Sequence, residues 1–329
     1  MRLAYRCTAL ASLLLVSALT GCDDENPEAS VPDAAVPDAG PAEAAIPVVF
    51  GSTATCATML RADGDHVYWM EGAYGDFPVI YRSGEGAFAP EVVLPGALGI
   101  VDYAVDGKFI YWITRDRLAR TSLDDGHTDY HAATPGSSYY NRLVLAGGTL
   151  FIEMGPFDGP LFALPGWDSP EVPLVDGRHG LLLARGANAL VSTFDSNRSA
   201  SAALDIYSGN TLAASHAAFS NPLLAATILD GRLFVLDNGG ELVSKGASDV
   251  EYQIGLGQSS DYALLPFGHD LAVQLGGRVV HVDVATGDVT GVTVVDSAFE
   301  LVETDHRLYW SEVCVDETTG TQLTRFPLP

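Results

Sequence analysis

From Thr58 to its last residue, Pro329, the chain writes one pattern seven times. The stretch DGDHVYW at 63–69 returns as DGKFIYW at 106–112 and as TDHRLYW at 304–310. Each pass reads strand, tight turn, aromatic strand, loop, strand, turn, strand, in short apolar runs broken by Gly, Asp and Asn. The turns fall at Gly64, Gly107, Gly148, Gly186, Gly231, Gly268 and Asp305, separated by 37 to 45 residues. A four-stranded unit of about 40 residues cannot bury both faces of its sheet alone, so the units must stack around an axis. No helical stripe of useful length interrupts them. The expected fold is all-β: a seven-bladed β-propeller of four-stranded blades over residues 46–329.

Local chemistry agrees with that geometry. Asp63-Gly64, Asp106-Gly107 and Asp230-Gly231 are pairs suited to the positive φ angles of tight hairpins. Tyr68-Trp69, Tyr111-Trp112 and Tyr309-Trp310 place adjacent rings on opposite faces of a strand, where they pack between neighbouring blades. The seventh pass holds only three strands, and IPVVF at 46–50 precedes the first pass without a partner. That N-terminal segment is therefore expected to supply the outer strand of blade seven and close the ring.

HVYWME, FIYWIT and RLYWSE resemble the repeated strand of YWTD propellers of the low-density-lipoprotein-receptor type, and the pattern also resembles propellers of bacterial envelope lipoproteins. The resemblance implies the same fold. Glu71 and Glu312 stand where the YWTD aspartate would be, and no blade carries the full motif.

The N-terminus reads as an export signal: Arg2 and Arg6 precede a short apolar run. The run ends in Leu19-Thr20-Gly21-Cys22, which resembles the lipobox of bacterial lipoproteins. The resemblance implies cleavage of residues 1–21 and lipid on Cys22, anchoring the chain to a membrane of the cell envelope. In some bacteria an aspartate after the lipidated cysteine, as Asp23 is here, retains lipoproteins in the inner membrane, but that rule varies between lineages and the outer membrane is favoured. Residues 22–45 form an acidic, Pro/Ala-rich tether that cannot bury enough apolar surface to fold. Forty-two acidic residues against 17 basic ones give a net charge of −25, which argues against nucleic acid or an anionic membrane surface as a partner. Of four cysteines, Cys7 leaves with the signal and Cys22 is lipidated. In an oxidising compartment the remaining two, Cys56 and Cys314, are expected to form a disulfide joining the chain ends.

Chemistry is less legible. The chain contains no nucleophile elbow, His-Glu-x-x-His, Walker loop or Cys-x-x-Cys. HTDYH puts His127, Asp129 and His131 on one strand face, but the two histidines would lie about 13 Å apart, and a solvated polar edge is the expected role. DSNRS (195–199) and DETTG (316–320) have oxygen-rich composition that would suit calcium, yet neither matches an EF-hand loop and both suit ordinary turns. No cofactor or metal is expected. A propeller's ligand face is where the loops between second and third strands meet the blade crossovers. Glu71, Tyr74, Asp76, Arg115, Asp116, Tyr139, Tyr140, Asp158, Asp195, Arg198 and Asp237 fall there. Acids and tyrosines suit a cationic or carbohydrate-like ligand, or an envelope protein.

The function expected is a lipid-anchored, monomeric, non-enzymatic binding module. The alternative is a propeller lyase or hydrolase of the streptogramin-lyase type, by analogy of fold alone. A structural spacer in an envelope assembly is the third reading.

Overall fold

Six of the seven turn positions carry glycine with φ between +55° and +77° in the computed structural model. In Gly147-Gly148 and Asp230-Gly231 both residues are left-handed, the geometry whose twist matches flanking strands. At 106–107 the glycine alone is left-handed. There Asp106 instead accepts hydrogen bonds from the amides of Lys108 (3.0 Å) and Phe109 (2.8 Å) through Oδ1. The structure describes residues 48–329 except 73–76, 97–98, 133–139, 156–158, 176–178, 195–200, 218, 220, 246–250, 254–261, 276–277, 292–297, 305–306, 313–319 and 328–329. The signal, Cys22 and the tether lie outside the described residues, as does Asp305.

These turns organise seven antiparallel four-stranded sheets. Blades 1 to 6 are continuous in sequence, over residues 57–94, 102–130, 140–175, 179–217, 223–253 and 262–291. Blade 7 combines 298–327 with the N-terminal strand Val48–Ser52, which pairs with Gln322–Pro327 at the outer edge. The first strand of each blade contacts the first strands of both neighbouring blades, and Ala298–Glu303 meets Ala57–Asp63. The ring is closed as the sequence requires.

Every interface between adjacent blades holds its own hydrophobic cluster. The Tyr-Trp pairs bind these clusters in a fixed sense. Tyr68 faces the blade 1–2 cluster, whereas Trp69 faces blade 7–1. Tyr111 packs on the blade 2–3 cluster and Trp112 on blade 1–2. Tyr309 faces blade 7–1 and Trp310 blade 6–7. Strand alternation thus spends one ring on each flank of a blade. An aromatic side chain buries a large apolar area, so each pair fastens three consecutive blades.

Candidate binding channel

Around the axis the inner strands enclose a cavity of about 1340 Å³. Its residues include the hairpin turns Gly64, Asp106, Gly148 and Ala187, so it reaches the end of the ring where first and second strands join.

Inner strands alternate like any strand, and bulges decide what they aim inward. In blades 1, 3, 4, 5 and 7 the pairing between first and second strands shifts register. The residue that follows the shift is Arg61, Arg142, Leu182, Ala225 or Glu300, and all five line the cavity. A bulge inserts one extra residue and re-aims its neighbours, a device common beside functional sites.

Three of the charged groups form a network across blades 7, 1, 2 and 3. Asp102, buried at the start of blade 2, accepts from the Arg61 guanidinium (2.8 Å), the Tyr103 amide (2.8 Å) and the Leu143 amide (2.9 Å). Arg61 also donates to the carbonyls of Tyr103 (3.2 Å) and Leu60 (2.9 Å). Its side chain remains 36% exposed, because it borders the open channel. Glu300 accepts from the Leu60 amide. Burial raises the Glu300 carboxyl above the ordinary range, the Leu60 amide and Arg61 pull it back, and Asp102 adds to the rise. Leu60 follows Met59, a non-glycine residue at φ +53°, whose carbonyl accepts from the Tyr103 hydroxyl at 2.6 Å. Burial holds the Tyr103 phenol well above its ordinary value, so it remains a donor. The left-handed Met59, uncommon for a bulky residue, is thus held by blades 2 and 7 together.

Arg142 differs from Arg61. It lines the same cavity, but its side chain has neither a hydrogen bond nor an ion pair among the described residues.

The residues anticipated at the ligand face are placed variously. Glu71 is 8% exposed: Oε1 accepts from the Trp69 indole (3.0 Å), and Oε2 from the Thr55 amide (3.1 Å) and hydroxyl (3.0 Å). It ties an interblade ring to the crossover before blade 1. Tyr140 is buried at the blade 2–3 interface. Arg115 and Asp116 are exposed in a turn, with Asp116 accepting from the Thr114 hydroxyl at 2.7 Å. Asp237 caps a turn, accepting from the Gly239 (2.8 Å) and Glu241 (3.0 Å) amides and from Asn221 (2.8 Å). Tyr74, Asp76, Tyr139, Asp158, Asp195, Arg198 and Cys314 lie outside the described residues, as do all of DSNRS and all of DETTG but Gly320. Cys56 is buried in the crossover into blade 1. In HTDYH, His127 meets Asp129 at 3.2 Å on the exposed edge of blade 2. His131 turns inward instead: Nδ1 lies 2.9 Å from the Trp167 carbonyl and Nε2 3.9 Å from Glu171.

Sequence reading did not select Arg61, Asp102, Arg142 or Glu300. A signal exists: each is a charged residue within an inner strand whose neighbours are mostly apolar.

No protein-family model and no curated protein matches this sequence. Solved structures do. The WD40 propeller domain of Doa1 aligns at TM-score 0.60 and 10% identity, covering 85% of this chain and 96% of that one. A chain of the Mitotic Checkpoint Complex aligns at 0.59 and 11%, covering 94% and 99%. YCF48, in a structure bound to D1 peptide, aligns at 0.58 and 13%, covering 88% and 99%. The likeness is one of fold.

Proposed function

We propose that the chain is an exported envelope protein, anchored by lipid on Cys22, whose propeller binds a ligand or partner in its central channel without transforming it. The observation that carries the binding role is Arg142, a guanidinium that lines the cavity with no acid or carbonyl satisfying it among the described residues. Confined donors without acceptors are what a binding site leaves for its ligand. Fold neighbours support the class of function: YCF48 was solved with a peptide bound, and the Mitotic Checkpoint Complex is a protein assembly. Within this reading Cys56, buried in the crossover into blade 1, pairs with Cys314. No specific observation favours the lyase or hydrolase alternative.

One experiment addresses both parts. The full chain is expressed in a bacterium fed a clickable fatty acid, with a photo-crosslinking residue at Leu183 in the channel or, as control, at Val289 on an outer edge. Expected are a fatty-acid label that Cys22→Ser abolishes and a discrete adduct from position 183 alone. Unlabelled wild type would refute the anchor. Equal adducts from both positions, or none from 183, would refute the channel as the seat of binding.

A further inference from the structure

The channel wall is electrically lopsided. Charge comes from blades 7, 1, 2 and 3, through Glu300, Glu303, Arg61, Asp63, Asp106 and Arg142. Blades 4 to 6 contribute Leu183, Leu224, Ile228, Ala263 and Leu265, with Asn188 and Gln274 as amides. Leu183, Leu224 and Ile228 are only half-buried, so they present apolar surface to whatever fills the cavity.

We propose that this channel recognises an aliphatic carboxylate, with the carboxylate on Arg142 and the hydrocarbon against the wall of blades 4 to 6. The inference deepens the binding-module reading and rests on it. Each element follows from the residues. A guanidinium presents a planar fork that matches a carboxylate with two parallel hydrogen bonds. Arg61 is not available in the same way, because Asp102 neutralises it at 2.8 Å and two backbone carbonyls occupy two more of its five N–H donors. Among the described residues the Arg142 guanidinium has no direct partner, although Asp63, Asp106, Glu300 and Glu303 line the same wall. A phosphate dianion would bring two charges into a wall that also holds Glu300, Glu303, Asp63 and Asp106, so a monoanion fits better. The apolar sector then selects for what the carboxylate is attached to: a branched or linear hydrocarbon of a few carbons, whose apolar surface leaves water on binding. Such chemistry occurs at the C-terminus of a peptide ending in an aliphatic residue and in a free aliphatic acid.

The test compares acids with their amides on the full wild-type chain, so no substitution is needed to read it. Binding of 4-methylpentanoate and 4-methylpentanamide is measured by calorimetry, together with N-acetyl-Gly-Gly-Leu carrying either a free or an amidated C-terminus. At least one acid is expected to bind tenfold or more tightly than its amide, and more weakly as salt is raised. If the peptide acid alone binds, the ligand is a chain terminus; if the simple acid alone binds, it is a small molecule. Arg142→Gln should remove the preference for the acid, and Arg142→Lys should retain part of it. Both variants should melt with the wild type, since the Arg142 side chain has no described hydrogen-bond or ion-pair partner to lose. Equal binding of acid and amide, an undiminished preference in Arg142→Gln, or no acid binding at millimolar concentration would each overturn the proposal. A channel adduct from position 183 alongside any of those results would leave the binding module standing and reject only the carboxylate.

Discussion

Glu300 holds its proton more tightly in the folded chain than in water, because burial disfavours the charged form. The groups facing it are the Leu60 amide, Arg61 and, farther off, Asp102. An acid whose folded pKa is raised makes its full contribution to stability below its unfolded pKa and loses it as pH rises through the folded value. The stability of the wild type relative to Glu300→Gln should therefore be greatest near pH 4 and decline towards pH 7. Urea melts of both proteins at those pH values check this; a difference that stays flat or grows with pH contradicts it. Position in sequence reveals little of this, since Glu300 meets Leu60 across 240 residues and Asp102 meets Arg61 across 41. Glu71 illustrates the same boundary. Its place after an aromatic strand was legible, but whether a carboxylate at a strand end faces solvent or seals a buried indole depends on Thr55 and Trp69 in three dimensions.

Strands and turns were the most legible scale, because their signals are local. Period-two alternation places Tyr68 and Trp69 on opposite faces whatever the rest of the chain does, and a positive φ selects glycine within its own dipeptide. Bulges are different: they are properties of a pair of strands, so a charge among apolar neighbours singles out Arg61, Arg142 and Glu300, but their inward aim is set by the pairing. The closing strand shows a further non-local demand. A Cβ on Gly51 would stand 2.1 to 2.4 Å from the Phe88 ring, which stacks on Trp69 and packs edge-on against Phe50. That ring has no free end to swing away. Gly51→Ala is expected to destabilise by about 1–3 kcal/mol, the usual cost of overpacking. Gly86→Ala, in the hairpin that overlies the same closure and with nothing within 4 Å of its Cβ, should cost under about 1 kcal/mol. Equal denaturation midpoints for the two variants would show that the Phe88 contact does not constrain the strand.

At the scale of the whole molecule, a ring differs from an open stack because its last interface joins residues far apart in sequence. Here Phe50 lies between Phe88 (5.4 Å) and Tyr309 (5.2 Å), with the Arg325 guanidinium 5.0 Å from its centroid. Inside that layer Thr53 and Thr321 exchange backbone and hydroxyl hydrogen bonds of 2.9 to 3.2 Å. Blade 1 reaches over as well: Arg307 and Arg325 both donate to the Glu85 carbonyl in the hairpin between its third and outer strands. Removing Val48–Ser52 would strip the ladder from Gln322–Pro327, expose an unpaired edge and leave the Phe50 pocket empty. A chain beginning at Ile46 should melt like the full chain, since every strand of the seven sheets is retained. One beginning at Thr53 should melt lower by on the order of 10 °C, because a loss of several kcal/mol shifts the midpoint by about 2–4 °C for each. It should also associate in a concentration-dependent way through the bared edge. Calorimetry and sedimentation of the two truncations decide the matter: a chain starting at Thr53 that stays monomeric and melts unchanged would mean that the other six interfaces hold the ring without its clasp.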